Sequence, residues 1–227
     1  MTKTKAGGTP LNTDTPSINR SAPSASGRRV NRKTEGVQES IIDAAAKVFA
    51  KKGYQLTKLG DISSALGMHV TALRYHFPTK DVIAEELINR LIRLMLTRVT
   101  EAIDALPESA SFRAKIEAAT VAYLTASLNR LDHVAAHGNV INQLPPAVRD
   151  GHFLLLSEFN AVWRHLMDEA AARGELRPGI NHSVATQVLL GTLIWTQEWY
   201  RPGRLSPDAL ALEILNILFE GIAPSAE

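Results

Sequence analysis

The sequence predicts an all-α protein of about nine helices, with an N-terminal three-helix helix-turn-helix domain and a larger C-terminal helical region. From Thr34 onward, apolar residues recur at the three- and four-residue spacing of amphipathic helices. No stretch has the alternating pattern of a strand. Glycine and proline separate the periodic segments, which is typical of short connections between helices.

The first four helices follow from this periodicity and from their end signals. Helix 1 presents an apolar face and ends at Gly53, and Thr57 is predicted to cap helix 2, which Gly67 breaks. Helix 3 is predicted over Val70–His76, before Pro78. Thr79 is the predicted N-cap of a long helix that ends before Pro107, and five further helices are predicted at about 111–130, 134–143, 146–173, 182–200 and 206–221.

Composition narrows the possible function classes. The chain has 227 residues and no cysteine, so a thiolate nucleophile, a disulfide framework and a cysteine zinc site are excluded. No nucleophile elbow, P-loop, dinucleotide fingerprint or Glu-x-x-His motif is present, so we predict neither an enzyme nor a cofactor. His133 and His137, four residues apart, are an alternative metal pair without an evident third ligand. No apolar leader or membrane span is recognisable, so we expect a cytoplasmic protein that does not contact membranes.

Residues 1–33 differ from the rest of the chain because they are basic and almost free of large apolar residues. Such a segment cannot offset its ordering entropy by burial, so we predict a disordered arm. Its positive charge favours contact with an anionic partner, either DNA or an acidic membrane, and a solubilising tail is the alternative. Four basic residues directly precede helix 1: Arg28, Arg29, Arg32 and Lys33.

The stretch from Thr57 to Lys80 has the proportions of a helix-turn-helix, with two short helices joined by a tight turn at Gly67. The second helix of this motif enters the major groove and therefore has an anchoring face and a reading face. The predicted anchors are Met68, Ala72, Leu73 and Phe77. The predicted outer residues are His69, Thr71, Arg74, Tyr75 and His76.

The identities of the residues in this stretch point to a family more specifically than the helical periodicity does. ALGMHVTALRYHFPTKDVIAEEL resembles the recognition-helix signature of the TetR (tetracycline repressor) family, with a Gly-led turn, a helix ending in aromatic-His-Phe, and then Thr-Lys and a long helix. The similarity continues upstream through IIDAAAKVFAKKGYQLTKLGDIS and covers about residues 34–90. It implies a dimeric, ligand-responsive regulator that binds a palindromic double-stranded DNA operator.

The resemblance implies roles for individual residues. Thr57 and Lys80 would bind phosphates at helix N-termini. His69 and Val70 begin the recognition helix, Thr71 would face base edges, and Arg74 would bind guanine. Tyr75 and His76 would contact the DNA backbone. The alternatives are a partly buried Tyr75, a His76 bonded within the domain and a merely solvated Arg74. The basic arm would follow the duplex or enter a minor groove.

The C-terminal helices are predicted to form an interface. LLGTLIW (189–195) and ALALEILNILFEGI (209–222) are apolar nearly all round, so they need burial on several sides. The resemblance implies that these two helices pair with their copies in a second subunit. Burial within one subunit is the alternative.

A small-molecule pocket is expected among the middle helices, lined by few polar groups. Trp199-Tyr200-Arg201-Pro202-Gly203 resembles a subgroup of TetR-like regulators that respond to acyl-CoA thioesters in lipid or sterol catabolism. Arg201 and Arg204 would meet a phosphate or carboxylate, or cap the preceding helix. The predicted ligand contacts are Tyr123, Asn139, Gln143, Trp163, Trp195 and Trp199.

The sequence therefore predicts three parts: a disordered basic arm over 1–33, a DNA-binding domain over 34–80, and an effector-binding and dimerisation domain over 81–227. We expect a repressor that releases its operator when a small molecule displaces the long fourth helix. A DNA-binding regulator without an effector and a helical enzyme are the alternatives.

Overall fold

The computed structural model describes the backbone of residues 25–220 and the side chains of residues 34–220. This part of the chain contains nine α-helices and no strand, so the all-α prediction is confirmed there. None of these helices is long and apolar enough to cross a bilayer. The helices are α1 (Ala25–Leu56), α2 (Leu59–Ala65), α3 (Val70–His76), α4 (Lys80–Asp104), α5 (Phe112–Leu128), α6 (Leu131–Val140), α7 (Pro146–Ala172), α8 (His182–Trp199) and α9 (Pro207–Glu220).

Helix α1 begins at Ala25, upstream of the start that the apolar pattern predicts near Thr34. Alanine, arginine and lysine favour helical backbone without any apolar face, so periodicity does not detect this first part. The remainder of the predicted disordered arm, residues 1–24, lies outside the described residues. At Gly53 the backbone is non-helical (φ 74°, ψ 167°), which ends the regular helix where the sequence predicts.

The helix-turn-helix boundaries are largely confirmed. α3 spans the predicted residues, and Gly67 takes a positive φ of 63° in the turn before it. The Thr79 hydroxyl accepts the backbone N–H of Val82 at 3.3 Å, as expected of an N-cap. The predicted cap of α2 is wrong: Lys58 occupies that position, and its backbone N–H donates to the Asp61 carboxylate at 2.8 Å.

Two apolar cores organise residues 37–220. One contains buried residues of α1, α2, α3, the first half of α4 and the end of α6. The other contains the second half of α4 together with α5, α7, α8 and α9. α4 contributes Leu87 to the first core and Met95 to the second, and α6 contributes Val140 and Val134 in the same way. These two helices therefore connect the cores.

A lysine clamp, defined here as Lys80 with Tyr54 and Asp81, holds the start of α4 against the end of α1. The Lys80 ammonium donates to the carbonyl oxygens of Tyr54 at 2.8 Å, Thr57 at 3.1 Å and Gln55 at 3.4 Å. It also lies over the Tyr54 ring, 4.3 Å from the centroid. The Tyr54 hydroxyl donates to Asp81, and its pKa is raised by burial and by that carboxylate. Because a cation neutralises the carbonyls at a helix C-terminus, the clamp also stabilises α1.

Polar contacts fix α6 on α1. His133 Nε2 lies 2.8 Å from Asp43 Oδ1, and the Asn139 amide donates to the Ala50 carbonyl at 3.2 Å. Just beyond α6, Gln143 Oε1 accepts the backbone N–H of Gln55 at 3.3 Å. The α6 segment is thereby attached to the helix-turn-helix side of the molecule.

A hydrogen-bonded relay, defined here as Asn89, His152 and His137, joins α4, α7 and α6. His152 Nδ1 lies 3.0 Å from Asn89 Oδ1, and His152 Nε2 lies 3.0 Å from His137 Nε2. His133 is bonded to Asp43 instead, so the structure does not bring His133 and His137 together. Among the described residues there is no group of three or more potential metal ligands of the His, Cys, Asp or Glu type.

Acidification is predicted to destabilise the fold through this relay. Burial, with a smaller contribution from His152, lowers the pKa of His137 to about 4, and burial also lowers the pKa of His152. The pKa of a histidine in the unfolded chain is about 6.5, so below that pH the unfolded chain binds more protons than the folded one. The free energy of unfolding should fall from pH 7 to pH 5, by up to about 1.4 kcal/mol per pH unit for each group. Urea unfolding at pH 7 and pH 5 measures this change in the free energy of unfolding. A His137→Gln variant with the same pH dependence as the parent would contradict this assignment.

The lysine clamp predicts that Lys80 contributes to the stability of the fold. Lys80→Met should lower the free energy of unfolding by about 1–2 kcal/mol, because it removes charge-assisted hydrogen bonds. Lys51→Met is the matched control, since Lys51 is exposed and has no hydrogen bond or ion pair with a described residue; its change should stay within about 0.5 kcal/mol. If the two variants had equal free energies of unfolding in urea, the lysine clamp would contribute nothing to the stability of the fold.

Candidate nucleic-acid interface and effector region

Helix α3 is anchored by one face and presents the other to solvent. Leu73 is fully buried and Phe77 is 5% exposed, while Thr71 and Arg74 are exposed. The prediction that Ala72 is an anchor is wrong, because Ala72 is exposed. Successive helical residues point about 100° apart, so a seven-residue helix anchored through Leu73 turns Ala72 away from the core. The buried fraction of α3 is therefore small and its exposed face is wide.

The polar groups of this face make no hydrogen bond or ion pair with another described residue. Arg74 makes no ion pair or hydrogen bond with a described residue. Tyr75 is 86% exposed, which excludes the alternative of a partly buried role. Its ring meets the ring of His76 edge-on at 5.3 Å, and His76 is half-buried. His69 and Val70 are exposed at the N-terminal end of the same helix. The structure thus gathers six of the predicted DNA-binding residues on one short helix.

Thr57 and Lys80 are placed differently from the other predicted DNA-binding residues. Thr57 is 1% exposed, and its hydroxyl donates to the Gly53 carbonyl at 2.7 Å. Lys80 is engaged in the lysine clamp. The sequence reasoning missed the clamp partners Tyr54 and Asp81, since nothing in the spacing brings residues 27 positions apart together. The side chains of Arg28, Arg29, Arg32 and Lys33 lie outside the described residues.

The C-terminal helices contain a buried aromatic cluster, defined here as Tyr123, Phe159 and Trp163. The Tyr123 ring centroid lies 5.9 Å from that of Phe159 and 6.2 Å from that of Trp163. Burial raises the pKa of Tyr123 to about 12, so its hydroxyl is neutral. Trp163 is fully buried, and its indole nitrogen has no hydrogen-bond partner among the described residues. Two predicted ligand residues, Tyr123 and Trp163, therefore meet in one place.

The other four predicted ligand residues lie elsewhere. Asn139 and Gln143 face α1 and bond to its backbone. Trp195 and Trp199 are 66% and 50% exposed on α8. The structure does not bring these residues to the aromatic cluster.

Helices α8 and α9 carry an exposed apolar face. On α8, Val184, Val188, Trp195 and Trp199 are four, seven and four residues apart, as in a single helical stripe, and α9 adds further exposed apolar residues. A groove of about 740 Å³ continues this face between α5, α7, α8 and α9, and it is lined by none of the six predicted ligand residues. The exposed face comprises Val184, Val188, Ile194, Trp195, Trp199, Leu212, Ile217, Leu218 and Phe219.

Comparison with known proteins agrees with this architecture. The family model described as bacterial regulatory proteins, tetR family, matches residues 41–87, and the tetracyclin repressor-like C-terminal domain matches residues 109–222. The HTH-type transcriptional repressor KstR2 of Rhodococcus jostii (strain RHA1) is 28% identical over 196 residues, which are 83% of this chain and 92% of that protein.

Solved structures share the fold. PfmR from Thermus thermophilus superposes with a TM-score of 0.73 at 23% identity, covering 82% of this chain and 96% of PfmR. FadR from Bacillus subtilis, in complex with stearoyl-CoA, gives a TM-score of 0.65 at 20% identity, covering 82% of this chain and 99% of FadR. Since the two family models match both the helix-turn-helix and the C-terminal helices, the chain belongs to the TetR family of bacterial transcriptional regulators.

Proposed function

We propose that the protein is a dimeric transcriptional repressor that binds a palindromic operator through α3 and releases it when a small molecule binds. The observation that carries this proposal is the exposed face of α3, where Thr71, Arg74 and Tyr75 present polar groups that pair with no other described residue, on a helix held by Leu73 and Phe77. A short helix that is rigid on one side and polar on the other fits the major groove.

The residues of α3 have different tasks in this proposal. Arg74 reads guanine through O6 and N7, and Thr71 contacts a neighbouring base edge. Tyr75, His76 and the N-terminal residues of the helix contact the sugar-phosphate backbone, which fixes orientation but carries no sequence information. Thr57 and Lys80 hold the helices in place from within the domain. The phosphate contacts of the basic arm stay a prediction.

Dimerisation through α8 and α9 is supported by their exposed apolar face. A continuous surface with two tryptophans and several aliphatic residues is unfavourable in water, and such patches mark interaction sites. Packing of this face on its copy forms a four-helix bundle with two-fold symmetry. That symmetry sets two α3 helices about one turn of DNA apart, on a palindromic site.

An acyl-CoA or related lipid intermediate is the proposed effector class. The structural neighbour FadR is described in complex with stearoyl-CoA, and the relative KstR2 is a repressor. Binding next to the aromatic cluster would act on α4 and α6, since both helices pack into both cores. A ligand that prefers the displaced arrangement of these helices weakens operator binding in proportion to its differential affinity.

Operator selection tests the DNA-binding part. Selection from a random DNA library should yield a palindrome that the full chain prefers over scrambled DNA. Arg74→Ala should cost about 1–3 kcal/mol of discrimination at one base pair of each half-site. Arg93→Ala is the matched control, because Arg93 is exposed on α4, about 20 Å along the helix from its first residue. A chain that selects no sequence, or equal losses in both variants, would contradict the proposal.

Dimerisation has its own test. Trp195→Glu should convert the dimer into a monomer, because it buries an unpaired charge in the apolar face. Leu154→Glu, on α7, is the control, since Leu154 is 71% exposed outside that face. Light scattering after size-exclusion chromatography gives both masses. A Trp195→Glu protein that stays dimeric would remove α8 from the interface.

A further inference from the structure

The exposed apolar face of α8 has a hollow at one end and projecting tryptophans at the other. Val184 and Val188, in the N-terminal half of the helix, line the groove of about 740 Å³ together with the C-terminal part of α9. Trp195 and Trp199, in the C-terminal half, are 66% and 50% exposed, and neither lines this groove in its own chain. A pocket of about 300–1,000 Å³ holds a molecule larger than one indole ring, so the groove has room for such a side chain.

Gly191 lies between these two ends. It is exposed, three residues after Val188 and four before Trp195. A Cβ atom at Gly191 would meet no heavy atom of the described chain within 4 Å outside its own stretch of helix, so packing within one chain does not require a glycine there. Glycine in the middle of a helix is less stable than alanine, but it lets another backbone approach closely.

The surface around Gly191 has the composition and the size of a protein interface. From Val184 to Gln197 the helix contains no charged residue, and depletion of charge marks the core of interfaces. The residues of the exposed apolar face together present roughly 900 Å², close to the roughly 800 Å² that each partner contributes to an interface of standard size. This area favours a protein as the occupant of the face.

A second copy of the chain satisfies both ends of the face at once. In a two-fold interface, a residue that contacts another on the partner is itself the contact of that residue's copy. Residues 188 and 195 lie at equal distances from a point between residues 191 and 192, and so do residues 184 and 199. A two-fold axis through that point therefore brings each projecting end onto a hollow end.

We propose that the two α8 helices of the dimer cross in antiparallel fashion at Gly191, and that Trp195 and Trp199 of each copy fill the partner's groove. Trp195 packs against the partner's Val188, and Trp199 packs against the partner's Val184. This inference rests on the dimer of the proposed function and specifies its geometry. The groove is incomplete in one chain, and the partner's indole rings close it.

Single cysteines test the crossing point, because the chain has no cysteine of its own. A disulfide needs Cα atoms within about 7 Å, so Gly191→Cys should give a covalent dimer on mild oxidation. Ser183→Cys is the matched control, since Ser183 is also exposed on α8 but its two copies would lie about 25 Å apart. Non-reducing gel electrophoresis should show that Ser183→Cys cross-links at least tenfold more slowly than Gly191→Cys.

Mixed dimers test the pairing of the tryptophans with the groove. In Val188→Cys alone or Trp195→Cys alone, the two cysteines would lie about 10 Å apart along the helices, beyond the reach of a disulfide. After subunit exchange, a mixture of the two proteins should cross-link at least tenfold faster than either protein alone. Val184→Cys with Trp199→Cys is the second pair, in case Trp195→Cys weakens the dimer.

Light scattering after size-exclusion chromatography establishes the mass of the parent and of each variant before oxidation. A dimeric Gly191→Cys protein that stays unlinked would leave the groove to another occupant, such as a small apolar ligand, and would overturn the inference. Self-linking of Val188→Cys as fast as Gly191→Cys would also overturn it, because it indicates parallel helices. Both results leave the dimer and operator binding intact, whereas a monomeric parent would remove the proposed dimer as well, so the two failures are distinguishable.

Discussion

The attachment of α3 to the first core is the constraint on which the interface depends. A seven-residue helix is too short to be stable alone, so its position is set by what it packs against. Leu73 and Phe77 supply the apolar anchor, and the lysine clamp fixes the helix that follows. Because these contacts use the inward side of α3, the outward side chains of Thr71, Arg74 and Tyr75 make no hydrogen bond or ion pair with another described residue. The same packing of α3 on the first core therefore makes the helix rigid and leaves its outer face accessible.

The connection between the two cores follows from α4 and α6. Each helix places side chains in both cores, and α6 is further bonded to α1 through His133, Asn139 and the following Gln143. The buried relay of Asn89, His152 and His137 adds α7 to this junction. A change in packing near the aromatic cluster therefore has a continuous, close-packed route to the base of the helix-turn-helix. Packed interiors shift between discrete arrangements rather than deforming smoothly. Such a shift could therefore pass from the aromatic cluster to the helix-turn-helix as a change between two states.

The sequence predicted those features that have a local cause. Helix periodicity, the Thr79 cap, the tight turn at Gly67 and the boundaries of α3 all depend on neighbouring residues, and all agree with the structure. Features with a tertiary cause were not predictable in this way. Lys80 is directed to carbonyls more than 20 residues earlier, and Asn139 and Gln143 turn toward α1 instead of a pocket. The residue types suggested polar pocket residues. Only the packing shows that the Trp163 indole N–H has no partner among the described residues, whereas the Asn139 amide is bonded to the Ala50 carbonyl.

If two copies of α3 read duplex DNA from a two-fold scaffold, the protein must protect DNA at two symmetric places. Hydroxyl-radical footprinting of the full chain on its selected operator measures this protection. We expect two protected patches related by the operator dyad and centred about 10 base pairs apart, or a multiple of that spacing. A single patch, or protection without a defined spacing, would contradict it.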